Sequence, residues 1–157
     1  MQRSDEIMAK FECELPTELI RELTKLEQNT PKMTEEMLQA GAEVVYKNVK
    51  SNMKSSFKDS SKLEKYLKIT DVYRTKDGSV NKKIAFYGYH DKGKKTFSIT
   101  KKGKTYSYDG VPVPLIIRAR EFGSSSGETK RPFYRKSWNN SQIESAMLKV
   151  QKKYIKE

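Results

Sequence analysis

Apolar positions along this chain change period several times, and each change marks an expected element. Residues 9–15 alternate: Ala9, Phe11, Cys13 and Leu15 share one side, and Lys10, Glu12 and Glu14 the other, predicting a half-buried strand. Pro16 suits a first helical position, and Leu19, Ile20, Leu23 and Leu26 follow at helical spacing, so a short amphipathic helix is expected to about Gln28. Thr30-Pro31 is expected to stop that helix and cap a second. In the second, Met33, Met37, Leu38, Gly41, Val44, Val45, Asn48, Val49 and Met53 form one stripe at three- and four-residue steps. Glu35 and Glu36 near its start and Lys50 and Lys54 near its end both favour the helix dipole.

Ser51 to Ser61 is rich in serine and lysine and predicts a loop. Leu67, Ile69 and Val72 begin a β region, and Ile84-Ala85-Phe86-Tyr87-Gly88-Tyr89 is a strand-like aromatic run. Asp77-Gly78 between extended runs signals a hairpin turn. A second hairpin is expected over residues 96–108, with Phe97 and Ile99 facing Tyr106 and Tyr108 across a Lys101-Lys102-Gly103-Lys104 tip. After two prolines, Leu115 to Phe122 predicts a short helix capped by a left-handed Gly123. A last helix carries Ile143, Met147, Val150 and Tyr154 on one stripe, with a capping box at Ser141-x-x-Glu144.

The chain has 157 residues, the length of one domain. Only 35% is hydrophobic and 33% is charged, so its core must be economical. The charge is uneven. Residues 1–61 carry 9 Lys+Arg against 11 Asp+Glu, net −2, whereas residues 62–157 carry 23 against 9, net +14. That asymmetry suggests an acidic partner for the second part, nucleic acid or an acidic protein face; a solvated lysine surface is the plain alternative. One cysteine, Cys13, allows no internal disulfide and suggests intracellular folding. The N-terminus lacks a signal-peptide layout. The longest apolar stretch, residues 111–117, is far short of the roughly 20 residues of a membrane span, so a soluble protein without a membrane partner is expected.

The chemistry-bearing residues are sparse. His90 is the only histidine and sits beside Asp91 and Lys92 in an expected turn, more a surface residue than a general base. There is no His/Cys cluster for zinc and no phosphate loop among the glycines. Catalytic, cofactor and metal residues are therefore expected to be absent, although carboxylates distant in sequence could still meet in space. Lys92, Lys94, Lys95, Lys101, Lys102 and Lys104 cluster on the expected hairpin among Phe97, Tyr106 and Tyr108, as in single-strand binders. Those aromatics could equally pair across the hairpin or face the core. Arg118, Arg120, Arg131 and Arg135 could hold phosphate, cross a subunit interface, or pair with Glu121, Glu128 and Glu144.

One stretch stands apart. Glu121-Phe122-Gly123-Ser124 ends a helical turn at a glycine, a small polar loop follows, and Arg131-Pro132-Phe133-Tyr134-Arg135 leads into the last helix. It is a chain reversal with an aromatic residue on each side. Phe122 and Phe133 are expected to pin its ends to the sheet, Gly123 to reverse the chain and Pro132 to set the start of the terminal helix.

This order of a long helix containing Ala40-Gly41-Ala42-Glu43-Val44-Val45, a few antiparallel strands, Glu121-Phe122-Gly123-Ser124 and Arg131-Pro132-Phe133-Tyr134-Arg135 resembles the tail-completion or head–tail joining (neck) proteins of long-tailed bacteriophages. The resemblance covers roughly residues 33–150. It implies a structural virion protein, not an enzyme, forming a homo-oligomeric ring, often sixfold, between head connector and tail tube. The implied partners are the tail tube and head-connector proteins, with genomic DNA passing through the lumen without specific binding. The implied location is the virion neck, reached from the host cytoplasm during assembly. Phe122, Gly123, Ser124, Arg131, Pro132, Phe133 and Arg135 are the expected structural or interface motif. Lys94, Lys95, Lys101, Lys102 and Lys104 are candidate contacts to an acidic partner. Residues 92–110 look like an extended hairpin, and residues 7–28 lie beyond what the resemblance covers.

The expected fold is α+β: one domain over residues 1–157, with a small antiparallel sheet packed against one long amphipathic helix and a C-terminal helix. Its parts are a strand and helix over 7–28, the long helix over 31–54, strands with the basic hairpin over 65–110, and the short helix, turn and C-terminal helix over 112–157. The alternative function is a basic nucleic-acid-binding module acting through residues 92–108. A toxin-like nuclease is a weaker third, lacking a second histidine and a carboxylate motif.

Overall fold

The structure, a computed structural model, describes residues 17–156; the strand expected over residues 9–15 lies outside them. The architecture is α+β. One helix, α1 (Thr17–Ser56), runs for 40 residues, about 60 Å, with Pro31 inside it. The break expected at Thr30-Pro31 does not occur. Proline removes one backbone donor and leaves the Glu27 carbonyl without its helical partner. Residues 27–32 are all exposed, so water can take that partner's place. The neighbouring carbonyls keep local donors: Thr30 Oγ1 bonds the Leu26 carbonyl at 2.6 Å and Thr34 Oγ1 the Thr30 carbonyl at 2.8 Å. The helix also runs through Ser51–Ser56, where a loop was expected, because Met53 is fully buried and holds that turn to the core.

The expected α1 stripe faces the core. Of its members Gly41, Val45, Val49 and Met53 are buried, joined by Ala42 from beside the stripe, and Asn48, the polar member, donates to the Ser137 carbonyl at 3.2 Å. Gly41 is where the last helix, α4 (Asn140–Lys156), comes closest. A Cβ there would lie 3.2 Å from Ile143 Cγ2 and 3.4 Å from Met147, so the missing side chain allows the approach. Asn48 meets Gln142 and Gly41 faces Met147, so α4 runs antiparallel to α1. The α4 cap is Asn139, whose Oδ1 accepts from the Gln142 N–H at 3.2 Å. Ser141 already lies inside the helix, so the cap sits two residues before the expected one, and the Gln142 side chain bonds Asn48 rather than closing a capping box.

A short helix, α2 (Ser60–Glu64), follows α1 and buries Leu63. The β structure is four separate two-stranded antiparallel pairs rather than one sheet. β1 (Leu67–Ile69) pairs with β4 (Ile84–Phe86), placing Leu67 opposite Phe86 and Ile69 opposite Ile84; Leu67, Ile84 and Phe86 enter the core. β2 (Tyr73–Arg74) and β3 (Val80–Asn81) form the hairpin expected at Asp77-Gly78, whose turn is tied by the Asp77 carboxylate to Thr75 and Ser79. β5 (Tyr89–His90) pairs with β8 (Val111–Pro112), and β6 (Thr96–Lys101) with β7 (Lys104–Asp109). Helix α3 (Val113–Phe122) buries Val113 and Ile117. The core thus lies between the C-terminal half of α1, the β1–β4 pair and α3, with Phe133 added from the segment that follows.

Candidate functional site

The reversal after α3 is held by a carboxylate. Glu121, in the last turn of α3, is only 3% exposed. Its Oε2 accepts the backbone N–H groups of Phe133 (2.8 Å) and Tyr134 (2.9 Å), and its Oε1 accepts the backbone N–H (3.3 Å) and the side-chain Nε–H (3.1 Å) of Arg135. These donors open a 3-10 turn at Arg135–Ser137, and free N–H groups at the start of a helical turn suit an anion. Burial pushes the Glu121 carboxyl up, but the N–H groups of Tyr134 and Phe133 and the Arg135 side chain outweigh it, and the net shift is downward.

This clasp seats Phe133, which is fully buried. Its ring meets Phe57 edge-on at 5.0 Å and Phe86 at 6.5 Å. Ser137 Oγ donates to the Phe133 carbonyl at 2.7 Å, and Asn52 of α1 donates to that same Oγ at 2.9 Å. Arg131 spans both ends of the reversal: its N–H bonds the Arg120 carbonyl at 2.8 Å, and Nη1 bonds the Ser56 carbonyl, the last of α1, at 3.0 Å. Arg120 grips Asp59 through two 2.8 Å bonds and lies over the Phe57 ring. The hydrogen bond from Arg120 holds the Asp59 carboxyl below its usual range.

Of the expected motif, Arg131, Phe133 and Arg135 are tied to the last turn of α3 through Arg120 and Glu121. Gly123 has φ 82° and ψ 169°, an extended positive-φ conformation that is essentially glycine's own rather than the expected left-handed helical cap. Ser124 closes its own loop: its Oγ accepts the Glu128 N–H at 3.2 Å and lies 2.8 Å from Ser126 Oγ. Phe122 is not an anchor. It is 55% exposed, with the Arg135 guanidinium 4.9 Å from its ring centre. Pro132 leads into the 3-10 turn rather than into α4. The Arg135–Glu121 pair is one of the alternatives the sequence offers; the backbone N–H donors that the same carboxylate gathers are not visible there. The signal was Glu121 itself, an acidic residue at a position of α3 that shares a face with the buried Ile117.

The β6–β7 hairpin is the second feature. Its register is the expected one, Phe97 opposite Tyr108 and Ile99 opposite Tyr106. Lys102 and Gly103 form a two-residue turn, both at positive φ. Lys101, Lys102 and Lys104 gather at the tip, whereas Lys94 and Lys95 lie at the base, about 20 Å away along the strands. The lysines thus form two groups, and all five are exposed. One hairpin face carries Phe97, Ile99, Tyr106 and Tyr108. The other carries hydroxyls that pair across the strands, Ser98 with Ser107 and Thr100 with Thr105, each at 3.0 Å. Tyr108 stacks on Tyr89 at 5.8 Å, while Ile99 and Tyr106 remain 46% and 47% exposed.

No group of His, Cys, Asp and Glu that could hold a metal exists among the described residues. His90 is half-buried with Nδ1 3.0 Å from the Asp91 carboxylate. No described helix is long and apolar enough to cross a membrane. What the chain offers is shape: a clasped body and exposed projections.

A protein-family model described as "Bacteriophage HK97-gp10, putative tail-component" matches residues 17–96. The chain belongs to this HK97-gp10-like family. Its role is that of a structural component of a phage tail, and its place is the virion. The family match covers α1, the first two β pairs and the start of the hairpin, and it stops before the Glu121 clasp. It includes residues 17–28, which lie beyond the roughly 33–150 that the resemblance to neck proteins covers. Searches of the curated proteins and of the solved structures found no match.

Proposed function

We propose that this tail component is a tail-completion, or head–tail joining, protein that assembles as a homo-oligomeric ring in the phage neck, between head connector and tail tube. The observation that carries the reading is the division of the molecule. The core is confined to one body, while two elements leave it with apolar side chains still exposed: α1 over residues 21–32 and the β6–β7 hairpin. A subunit that completes its packing against neighbours has this form. On this reading the chain works by shape and surface rather than by catalysis, the tail tube and connector proteins are its partners, and DNA passes through the lumen without specific contacts.

The test is sedimentation velocity with negative-stain imaging, alone at rising concentration and with purified tail tubes. Rings in solution or at tube ends are expected. A protein that stays monomeric throughout and never joins tubes overturns the reading. The nucleic-acid alternative has its own signature: binding that weakens with salt at a log–log slope near −0.9 per phosphate contact on duplex, about three contacts of which vanish in K101Q/K102Q/K104Q. A tight complex abolished by those changes would favour it.

A further inference from the structure

We propose that the exposed face of the α1 arm in one copy docks on the apolar face of the β6–β7 hairpin in the next, an inference that rests on the ring reading above. Within α1, Leu23, Leu26, Thr30, Met33 and Met37 follow one another at alternating three- and four-residue steps, the spacing of a helix-packing seam. Met33 and Met37 are half-buried, whereas Leu23 and Leu26, further out on the same seam, are 51% and 40% exposed. The packing surface therefore continues beyond the body and stays exposed among the described residues.

The hairpin has the complementary problem. A two-stranded hairpin is at best marginally stable with its apolar face open. Ile99 and Tyr106 lie opposite each other near its middle, both nearly half exposed. Strand alternation places Lys101 and Lys104 on that same face, at the tip.

Charge decides the pairing. By helical geometry Glu22 and Glu27 flank the Leu23–Leu26 seam on either side, while the basic residues of the arm, Arg21, Lys25 and Lys32, fall on the opposite face. An apolar strip edged by glutamates thus matches an apolar strip tipped by lysines. Both surfaces are exposed in the single chain, so they do not cover each other within it. Two different, mutually complementary surfaces on one molecule make a head-to-tail contact, which closes into a ring or runs on as a filament. The occupant of each surface is accordingly a second copy of this chain.

Charge reversal tests this on the full-length protein. K101E/K104E and E22K/E27K should each keep the parent's thermal melt, because all four positions are exposed. Each should shift the assembly midpoint in sedimentation velocity to at least about tenfold higher concentration. An equimolar mixture should restore rings, since each contact in an alternating ring then pairs Glu with Lys. The fourfold variant K101E/K104E/E22K/E27K should restore them alone. If the parent forms rings and both variants do so equally well, the ring reading stands and this interface is overturned. It is also overturned if assembly is lost but neither the mixture nor the fourfold variant recovers it, or if the recovered species stops at a dimer. A parent that never assembles removes the ring reading, and this contact with it.

Discussion

The clasp around Phe133 and the β6–β7 hairpin are both rich in aromatic side chains, and they use them in opposite ways. At the clasp, Phe57, Phe86 and Phe133 are buried against one another, and Glu121 supplies acceptors for the backbone that brings Phe133 in. On the hairpin, Ile99 and Tyr106 stand on a face that none of the described residues covers fully. The first region spends its aromatics on the stability of the single chain. The second leaves Ile99 and Tyr106 in solvent, where the proposed assembly would bury them. Aromatic content therefore does not locate the core; what locates it is whether a third element covers the pair.

Substitutions can break that contrast. Phe133→Ala should destabilise the monomer by about 3–5 kcal/mol in urea unfolding, since a fully enclosed ring leaves a cavity, while Ile99→Ala should cost less than about 0.5 kcal/mol. Equal losses would erase the distinction.

Glu121→Ala should come next. It leaves the backbone N–H groups of Phe133, Tyr134 and Arg135 without their acceptor, at about 1–3 kcal/mol for each that stays shielded from water. The same carboxylate predicts a pH dependence. Its folded pKa lies below the ordinary value of 4.5, so its contribution is present above that value and is lost as pH falls through the folded one. Parent stability should therefore decline from about pH 5 downward, and Glu121→Gln should flatten part of that slope. Thermal melts across pH 3 to 7 measure both curves; parallel curves would show that the clasp does not depend on the charge.

Gly123→Val should cost about 1–3 kcal/mol, because its φ of 82° is strained for a branched residue and a Cβ would lie 3.2 Å from the Glu128 carbonyl. Phe122→Ala, one residue earlier, should change the melt least of all, because its ring is mostly in solvent. A large loss there would mean that the Arg135 guanidinium over the ring is a structural contact.

Most of the frame was legible in the sequence, because it follows from local periodicity. The α1 stripe, the Asp77-Gly78 turn, the cross-strand pairs of the second hairpin and the stripe of α4 all depend on spacing within a single element. The departures depend on surroundings. Pro31 reads as a stop, yet an exposed helix with threonines bonding nearby carbonyls carries it through. Ser51–Ser56 reads as loop, yet burial of Met53 keeps it helical. Phe122 and Phe133 read as a pair of anchors, yet only the second faces the core. The clasp lay furthest from view, because Glu121 and its donors are more than ten residues apart and meet only after the reversal.

The division between body and projections is tested most directly by native-state hydrogen exchange on the monomer and on the assembled form. Amides of α1 over residues 41–56, of α3 and around Phe133 should be protected in both states, up to the global unfolding free energy. Amides of the β6–β7 hairpin and of α1 over residues 21–30 should exchange quickly in the monomer and become protected on assembly. A hairpin and arm as protected as the body in the monomer, or no gain in either on assembly, would contradict the account.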